Sequence, residues 1–412
     1  MSKSATCIMT VTGSVPTFVY EIAWIRMLSL VLGSATHSFE LMLSTFILGL
    51  ALGALFVRRH ADRLKSPVLA LGVVQVAMGS LAIATLPVYM WTFDWISALM
   101  GSLDSTEGGY RLFAIARYAL CAMVMFPATI CAGMTLPLIT RTLYVSGAGE
   151  RAIGRVYSIN TLGSIIGVGL AGLFLMPLLG VKWLLVSGAL LDVAIGVALL
   201  VWLWDRAPAA VPQWAMGAII ATGAFLFAVV TMTPLDRTTL SSGVFRRGRL
   251  PDAGSHRMLF YRDGRTATVS VKQVSEGSSI VLSTNGKPDA SMSPLWLAPA
   301  DTAAPRMMLD SDMGTQVLLA LSTLAHAPQA RIAAVIGQGS GVTSHFMLAS
   351  PSLTHLSTIE IEPEIIDASR HFLPFNQRTF SDPRASFVVD DAKSYFAAGG
   401  RTYDVILSEP SN

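Results

Sequence analysis

Charge is what this chain has least of. Only 13% of its 412 residues are Asp, Glu, Lys or Arg, and 52% are hydrophobic, where soluble domains carry about 25% charged residues. A net charge of +3 supplies no basic surface of the kind nucleic acid requires, and no stretch reads as a nucleic-acid motif. Cysteine is as scarce. Cys7, Cys121 and Cys131 fall in apolar runs without metal-ligand spacing, which reads as buried thiols rather than a disulfide frame. His60, His256, His345, His355 and His371 are scattered, so no metal is expected. No cleavable leader is expected either, because the first apolar run is followed by others like it.

Long apolar runs are abundant instead. Windows near the ~20 residues that cross a bilayer fall at 7–33, 38–57, 68–90, 112–139, 156–179, 183–204 and 213–234. They predict a multi-pass α-helical membrane domain over 1–235, with the lipid bilayer as partner. Gly49 and Gly53, and again Gly163 and Gly167, are spaced for close helix approach. Arg58, Arg59, Arg63 and Lys65 place one loop in the cytoplasm, and Arg141, Arg151 and Arg155 place another there. The 91–110 connection, with Asp94, Asp104 and Glu107, suits the outside. Counting onward puts the tail outside, whereas Arg237, Arg246, Arg247 and Arg249 argue for inside. Glu21 and Arg26 lie inside the first window, where charge is costly and marks function by default. The run from Gly53 to Arg63 loosely resembles the cytoplasmic loop between the second and third helices of major-facilitator transporters.

After Asp236 the pattern changes. Thr266 to Lys272 alternates, with Ala267, Val269 and Val271 on one face. Glu276-Gly277 is a turn, Ser279 to Thr284 alternates again, and Asn285-Gly286 follows as a second turn. Residues 236–311 are therefore a linker and a small β-hairpin module. Over 312–412 the order is a helix from Asp312, strands at Ile332–Ile336, Leu356–Ile361, Ala385–Val389 and Asp404–Ser408, and helices from Val342 and from Pro363. No helix is expected between the last two strands. This is a partial α/β Rossmann-like domain, whose ligands bind beyond the carboxyl ends of parallel strands. At those ends Gly337, Gly339 and Gly341 bare the backbone to a nucleoside. Glu360 lies 23 positions beyond Gly337, near the ~20-residue spacing at which an acid meets ribose hydroxyls. Asp390-Asp391 closes the third strand, where it can read an adenine.

These motifs carry a resemblance. Asp312-Met313-Gly314-Thr315-Gln316, Gly337-Gln338-Gly339-Ser340-Gly341, Glu360-Ile361-Glu362-Pro363-Glu364, Asp382-Pro383-Arg384, Val389-Asp390-Asp391-Ala392 and Tyr403 to Asn412 follow, in order, the motifs of the spermidine synthases. The chain from about Phe260 on resembles that polyamine aminopropyltransferase family. With Tyr20 to Arg26 at the amino end, the whole looks like its membrane-fused bacterial relatives, which implies a bacterial inner membrane and a cytoplasmic tail. The resemblance implies decarboxylated S-adenosylmethionine as co-substrate, a small amine such as putrescine as acceptor, and no metal; it leaves a homo-oligomer open. It implies that Glu360 holds the ribose, Asp391 the adenine, and that Gln316 sits where cofactor and amine meet. Glu409 stands for the catalytic aspartate that deprotonates the amine, a carboxylate's chemistry, and Asn412 for an acid that binds that amine. Glu409, Asn412 and Ser340 all depart from the family's aspartates. Fewer acids suit a less cationic acceptor, or methyl transfer from S-adenosylmethionine itself. A major-facilitator-like transporter with a degenerate tail is the other alternative. The family fold continues beyond its fourth strand, so the resemblance also implies a piece of a longer protein.

Overall fold

The computed structural model describes residues 3–408 apart from 61–62, 105, 146, 148–149, 213, 253, 275–278 and 294–311. The chain divides into two compact units, Met1–Asp236 with Val244–Leu250, and Arg237–Gly243 with Pro251–Asn412.

The first unit is helical: α1 (Lys3–Leu32), α2 (Thr36–His60), α3 (Pro67–Ser102), α4 (Glu107–Val145), α5 (Glu150–Leu170), a π turn (Ala171–Leu175), α6 (Met176–Arg206) and α7 (Trp214–Met232). Among the described residues six helical stretches are long and apolar enough to cross a membrane, by length and composition. The expected windows 156–179 and 183–204 run together in one of these, Ile153–Arg206. No loop separates them. Gly180 leaves helical geometry there with φ 74° and ψ 168°, in the left-handed region that a residue without Cβ adopts freely. The expected outer connection 91–110 is likewise mostly helix, since α3 runs on to Ser102 and α4 starts at Glu107.

Small residues set the helix spacing. A Cβ at Gly53 would lie 2.0 Å from the Ile130 carbonyl oxygen, and one at Gly133 would lie 2.2 Å from that of Leu50. So α2 and α4 touch backbone to backbone, where dispersion and close packing do the work that water exclusion does elsewhere. At Gly167 the nearest atom is the Val15 carbonyl oxygen of α1, at 3.0 Å. Cys121 is buried and Cys131 half-buried, both as free thiols.

The second unit holds two sheets. One is an antiparallel meander of β1 (His256–Asp263), β2 (Thr268–Val274), β3 (Ile280–Thr284) and β4 (Lys287–Met292). Alternation exposed the central pair to sequence reading, but not the two flanking strands. β1 is masked by charges, among them Arg257, Arg262 and Asp263, and β4 contains Pro288. Asn285 and Gly286 turn the chain with φ 50° and 77°, the double positive φ of a tight hairpin. The expected turn at Glu276-Gly277 lies outside the described residues. Both faces of β2 are covered, which simple alternation does not foretell. Val269 and Val271 are fully buried, and Thr268, Ser270 and Lys272 are buried as well, the last donating from Nζ to the Ser241 carbonyl.

The other sheet is parallel, in the order β7-β6-β5-β8: β5 (Ile332–Ile336), β6 (His355–Glu360), β7 (Ala385–Val389) and β8 (Val405–Ser408). Around it lie α8 (Met313–His326), α9 (Val342–Met347), α10 (Pro363–Ser369), α11 (Gln377–Ser381) and α12 (Ala392–Ala398). Strands β5 and β7 coincide with their expected spans, while the second and fourth each shift or shorten by one residue. Helix α12 corrects the expectation that strand three leads straight to strand four. Its start is signalled by Asp391, whose side chain accepts from the Ser394 N–H, an N-cap contact. The meander and the α/β segment share one core: Val269, Val271, Leu282 and Met292 pack with Met313, Val317, Val342 and Phe372. That packing holds β2 against α8 and α9.

Candidate active site

Register decides what the parallel sheet offers at its carboxyl edge. Ile336 pairs with Ile359 and with Ser408, and Ile359 pairs with Val388. The three neighbouring strands β5, β6 and β7 therefore end level, and their next residues are the glycine loop, Glu360 and the Asp390-Asp391 pair. The Gly337 N–H donates to the Ile359 carbonyl at 2.8 Å, and the Asp390 N–H donates to the Glu360 carbonyl at 3.1 Å, extending the ladder past the strands.

The loop between β5 and α9 uses left-handed backbone at all three glycines, with φ 86° at Gly337, 50° at Gly339 and 78° at Gly341. Space surrounds the first two. A Cβ at Gly337 would meet nothing within 4 Å, and one at Gly339 only the Ala290 Cβ at 3.9 Å. Gly341 is different, since a Cβ there would strike Gln338 Nε2 at 2.5 Å. Gln338 stands where the resembling family has glycine, and it turns inward. Its amide is buried and donates to Ser369 Oγ at 3.1 Å. The backbone of the loop is thus left clear for a ligand.

Glu360 closes the loop from the neighbouring strand. Its Oε2 accepts from the Gln338 N–H at 2.8 Å, and Oε1 accepts from the Glu362 N–H at 3.0 Å. A carboxylate can accept about four hydrogen bonds, so both oxygens keep capacity for a pair of hydroxyls. The group is 5% exposed, and burial pushes its pKa up despite the N–H groups of Gln338 and Glu362 that favour the charge. The residues present fit a nucleoside: bare loop backbone, a carboxylate with spare lone pairs, and open space at Gly337.

Asp391 stands at the third strand end, exposed, with Oδ2 accepting from the Ser394 N–H at 2.9 Å and its hydroxyl at 3.0 Å. Those contacts hold its carboxyl below the usual range, so it is ionised and oriented by the start of α12. Gln316 lies on α8 behind the loop, 2% exposed. Its Oε1 accepts from Ser340 Oγ, and its Nε2 donates to Asp312 Oδ2 at 3.0 Å. It braces the glycine loop from below. Glu409 and Asn412 lie outside the described residues.

Sequence reading missed the residues that hold this arrangement. Glu362 is 1% exposed and N-caps α10. Its Oε2 accepts from the Thr266 N–H at 2.6 Å, the Thr266 hydroxyl at 2.8 Å and the Ala267 N–H at 3.0 Å. This ties the β1–β2 turn to the residue two places beyond Glu360. Asn376 is fully buried and donates to the carbonyls of Ser340 and Ser369, each at 2.7 Å. The only signal for Glu362 was its place ahead of Pro363, a cap position; for Asn376 there was none. Arg384 grips Asp382 at 2.7 Å through Nη2 and also reaches the carbonyls of Leu348, Ser350 and Leu353, which fixes the turn entering β7.

The raised Glu360 pKa gives a pH test with a definite sign. A folded-state value above the unfolded ~4.3 means that its stabilising contribution is present below that value and is lost as pH rises through the folded value. Hydroxyl recognition, by contrast, needs the carboxylate. S-adenosyl nucleoside affinity is therefore expected to rise with pH through the range in which this group titrates, while its contribution to stability falls. Titration calorimetry and thermal unfolding of the intact chain across pH check this, and affinity flat with pH across that range counts against the assignment. Asp382 and Asp404, both held low by hydrogen bonds, act in the opposite sense and at lower pH.

The parallel sheet, its glycine loop and the strand-end carboxylates form a partial α/β Rossmann-like segment. Residues 313–412 match the family model for the spermine/spermidine synthase domain, and the carboxyl-terminal segment is a domain of that kind. Putrescine N-methyltransferase 2 of Nicotiana attenuata is 33% identical over 90 residues, 22% of this chain and 24% of that protein. Polyamine aminopropyltransferase 1 of Pseudomonas aeruginosa is 30% identical over 98 residues, 24% of this chain and 34% of that protein. The chain thus spans about a quarter to a third of the length of these curated relatives, 24% and 34%, which are transferases by name. The solved spermidine synthase of Thermotoga maritima aligns over 38% of this chain and 47% of its own, with 18% identity and a TM-score of 0.31. Among the described residues no group of three or more His, Cys, Asp or Glu could hold a metal ion.

Proposed function

We propose that this chain is part of a membrane-bound transferase that moves an aminopropyl group from decarboxylated S-adenosylmethionine to a small amine. The observation that carries the reading is the convergence of the bare glycine loop and the Glu360 carboxylate, joined by the Gln338 N–H to Oε2 bond of 2.8 Å. The S-adenosyl group supplies a sulfonium whose neighbouring carbon is open to a nucleophile. The chain's own residues bind and orient. Glu360 accepts the ribose hydroxyls, Gly337 and Gly339 let the backbone approach, and Asp391 marks the adenine end. Gln316 and Ser340 stiffen the loop beneath. Glu409 takes the ammonium's proton so that a neutral amine attacks, the role expected of a carboxylate beside an amine. The length and apolar character of the first unit's helices support a bacterial inner-membrane location, and the cytosolic origin of the co-substrate supports a cytoplasmic second unit.

A second reading has its own support. The relatives include putrescine N-methyltransferases, one of them 33% identical over 90 residues, and the acids that hold a diamine are replaced here at Ser340 and Asn412. Methyl transfer from S-adenosylmethionine uses the same nucleoside contacts. One experiment separates the two. The intact membrane protein is offered both co-substrates with putrescine, and products are weighed by mass spectrometry. An aminopropyl adduct supports the first reading and a methyl adduct the second. No adduct with either, together with no nucleoside binding, removes both.

A further inference from the structure

The helical unit contains one acid the transferase reading does not use. Asp192 lies on α6 and is 0% exposed, in a segment built mostly of Leu, Val, Ala and Gly. Tyr20 of α1, 1% exposed, donates its hydroxyl to Asp192 Oδ2 at 2.5 Å. Gly188, one turn before Asp192, makes room for that ring: a Cβ there would lie 3.0 Å from Tyr20 Cε1. Asp192 Oδ1 is buried and has no hydrogen-bond partner, and no ion pair to Asp192 is present among the described residues.

A second lone acceptor lies in the same seam. Gln75 of α3 is 1% exposed, and its Oε1 is also buried without a partner. The register of α3 on α6 is fixed by glycines. A Cβ at Gly79 would lie 2.5 Å from the Ala189 carbonyl oxygen, and one at Gly196 would lie 2.7 Å from that of Gly72. Gln75 sits three residues after Gly72 and four before Gly79; Asp192 sits three after Ala189 and four before Gly196. Residues at these spacings share a helix face, so both side chains belong to the face where the antiparallel helices meet. Two buried acceptors without a donor are costly. A proton held between them would satisfy both.

We infer that Asp192 is a proton-binding site of the helical unit, with its carboxylic acid donating from Oδ1 to Gln75 Oε1 and accepting from Tyr20 at Oδ2. The ligand is a proton rather than a metal ion, because hard cations such as Ca²⁺ take about 6–8 oxygen ligands and the seam offers two unpartnered ones. An ionised carboxylate in this setting has no counter-ion, and burying such a charge is prohibitive. Of the elements packed on α6, α1 contributes Tyr20, with Glu21 next to it in sequence and Arg26 farther along the helix, and α3 contributes Tyr89 and the uncharged Gln75. Cys131 of α4 lies close enough to interact electrostatically. Lys182, on α6 itself, donates to the carbonyls of Val230 and Thr233, each at 2.8 Å. The site stands on the packing of the helical unit alone and is independent of the transferase reading.

Infrared spectroscopy of the intact chain in lipid nanodiscs tests it. A protonated-carboxyl stretch is expected at neutral pH, lost in Asp192→Asn and retained in Glu21→Gln. Tyr20→Phe moves the same band to higher wavenumber, because the carbonyl loses its donor, and Gln75→Leu shifts it by removing the acceptor. A carboxyl band that is absent, or that survives Asp192→Asn, overturns the assignment. Should Asp192→Asn fail to fold, the Tyr20→Phe and Gln75→Leu shifts decide alone, and a band unmoved in both overturns it.

Discussion

Nucleoside affinity is expected to fall at least about 100-fold in Glu360→Ala, since hydrogen bonds to a charged acceptor contribute about 1.5–3 kcal/mol each and two ribose hydroxyls lose theirs. The residue also has a structural part, because its oxygens accept from the N–H groups of Gln338 and Glu362. Truncation strands both donors in a site that is 5% exposed, so some stability is lost as well. The two effects separate by measurement. Titration calorimetry with S-adenosyl nucleosides reads binding, and thermal unfolding reads the fold. If Glu360→Ala melts earlier yet binds within about tenfold of the native chain once the folded fraction is counted, the carboxylate only props the loop and does not hold a ribose.

The largest expected effect on stability belongs to Glu362→Ala. Its Oε2 accepts two backbone N–H groups and a hydroxyl from the β1–β2 turn, and its Oε1 accepts from the Glu364 N–H at 3.3 Å. Leaving the buried donors unpaired costs about 1–3 kcal/mol apiece, so a total of about 2–6 kcal/mol follows for the two backbone groups. That is a large share of the ~5–15 kcal/mol that keeps a domain folded. Denaturant unfolding of the intact chain, followed at Trp-free segments by hydrogen exchange, should show the 264–267 turn losing protection first. Gly264→Ala attacks the same joint from the other side, since its Cβ would lie 2.3 Å from Glu362 Oε1. Because the two substitutions break one contact, their costs should not add. A double variant as unstable as the sum of the singles would show that the turn and the cap act independently.

Legibility in the sequence followed the strength of periodic signals. Ile332–Ile336 and Ala385–Val389 are read correctly because buried parallel strands are short apolar runs bounded by turn residues. α12 escaped because its seven residues, Ala392–Ala398, bury none of their side chains, so no apolar stripe marks it. The flanking strands β1 and β4 escaped because their stability comes from neighbours: among the described residues β1 pairs with β2 alone, through Asp263↔Thr268 to His256↔Val274. The strand-end positions of residues such as Glu360 were readable from type and spacing. Their roles in the fold were not. Gln316 reads as a ligand contact by resemblance and is found bonded to Ser340 and Asp312.

By itself the sequence determined the two chemical regimes of this protein, apolar helices before residue 236 and an α/β segment with a glycine loop after it. Composition and period are local properties, so they survive without coordinates. Only the tertiary structure decided that Glu360 meets the Gln338 N–H, that Glu362 fastens a turn 96 residues away, and that Asp192 and Tyr20, 172 positions apart, share a hydrogen bond. Such pairings depend on which faces pack together. That is set by shape complementarity and the cost of unpaired buried polar groups, and neither is written in the spacing of residues along the chain.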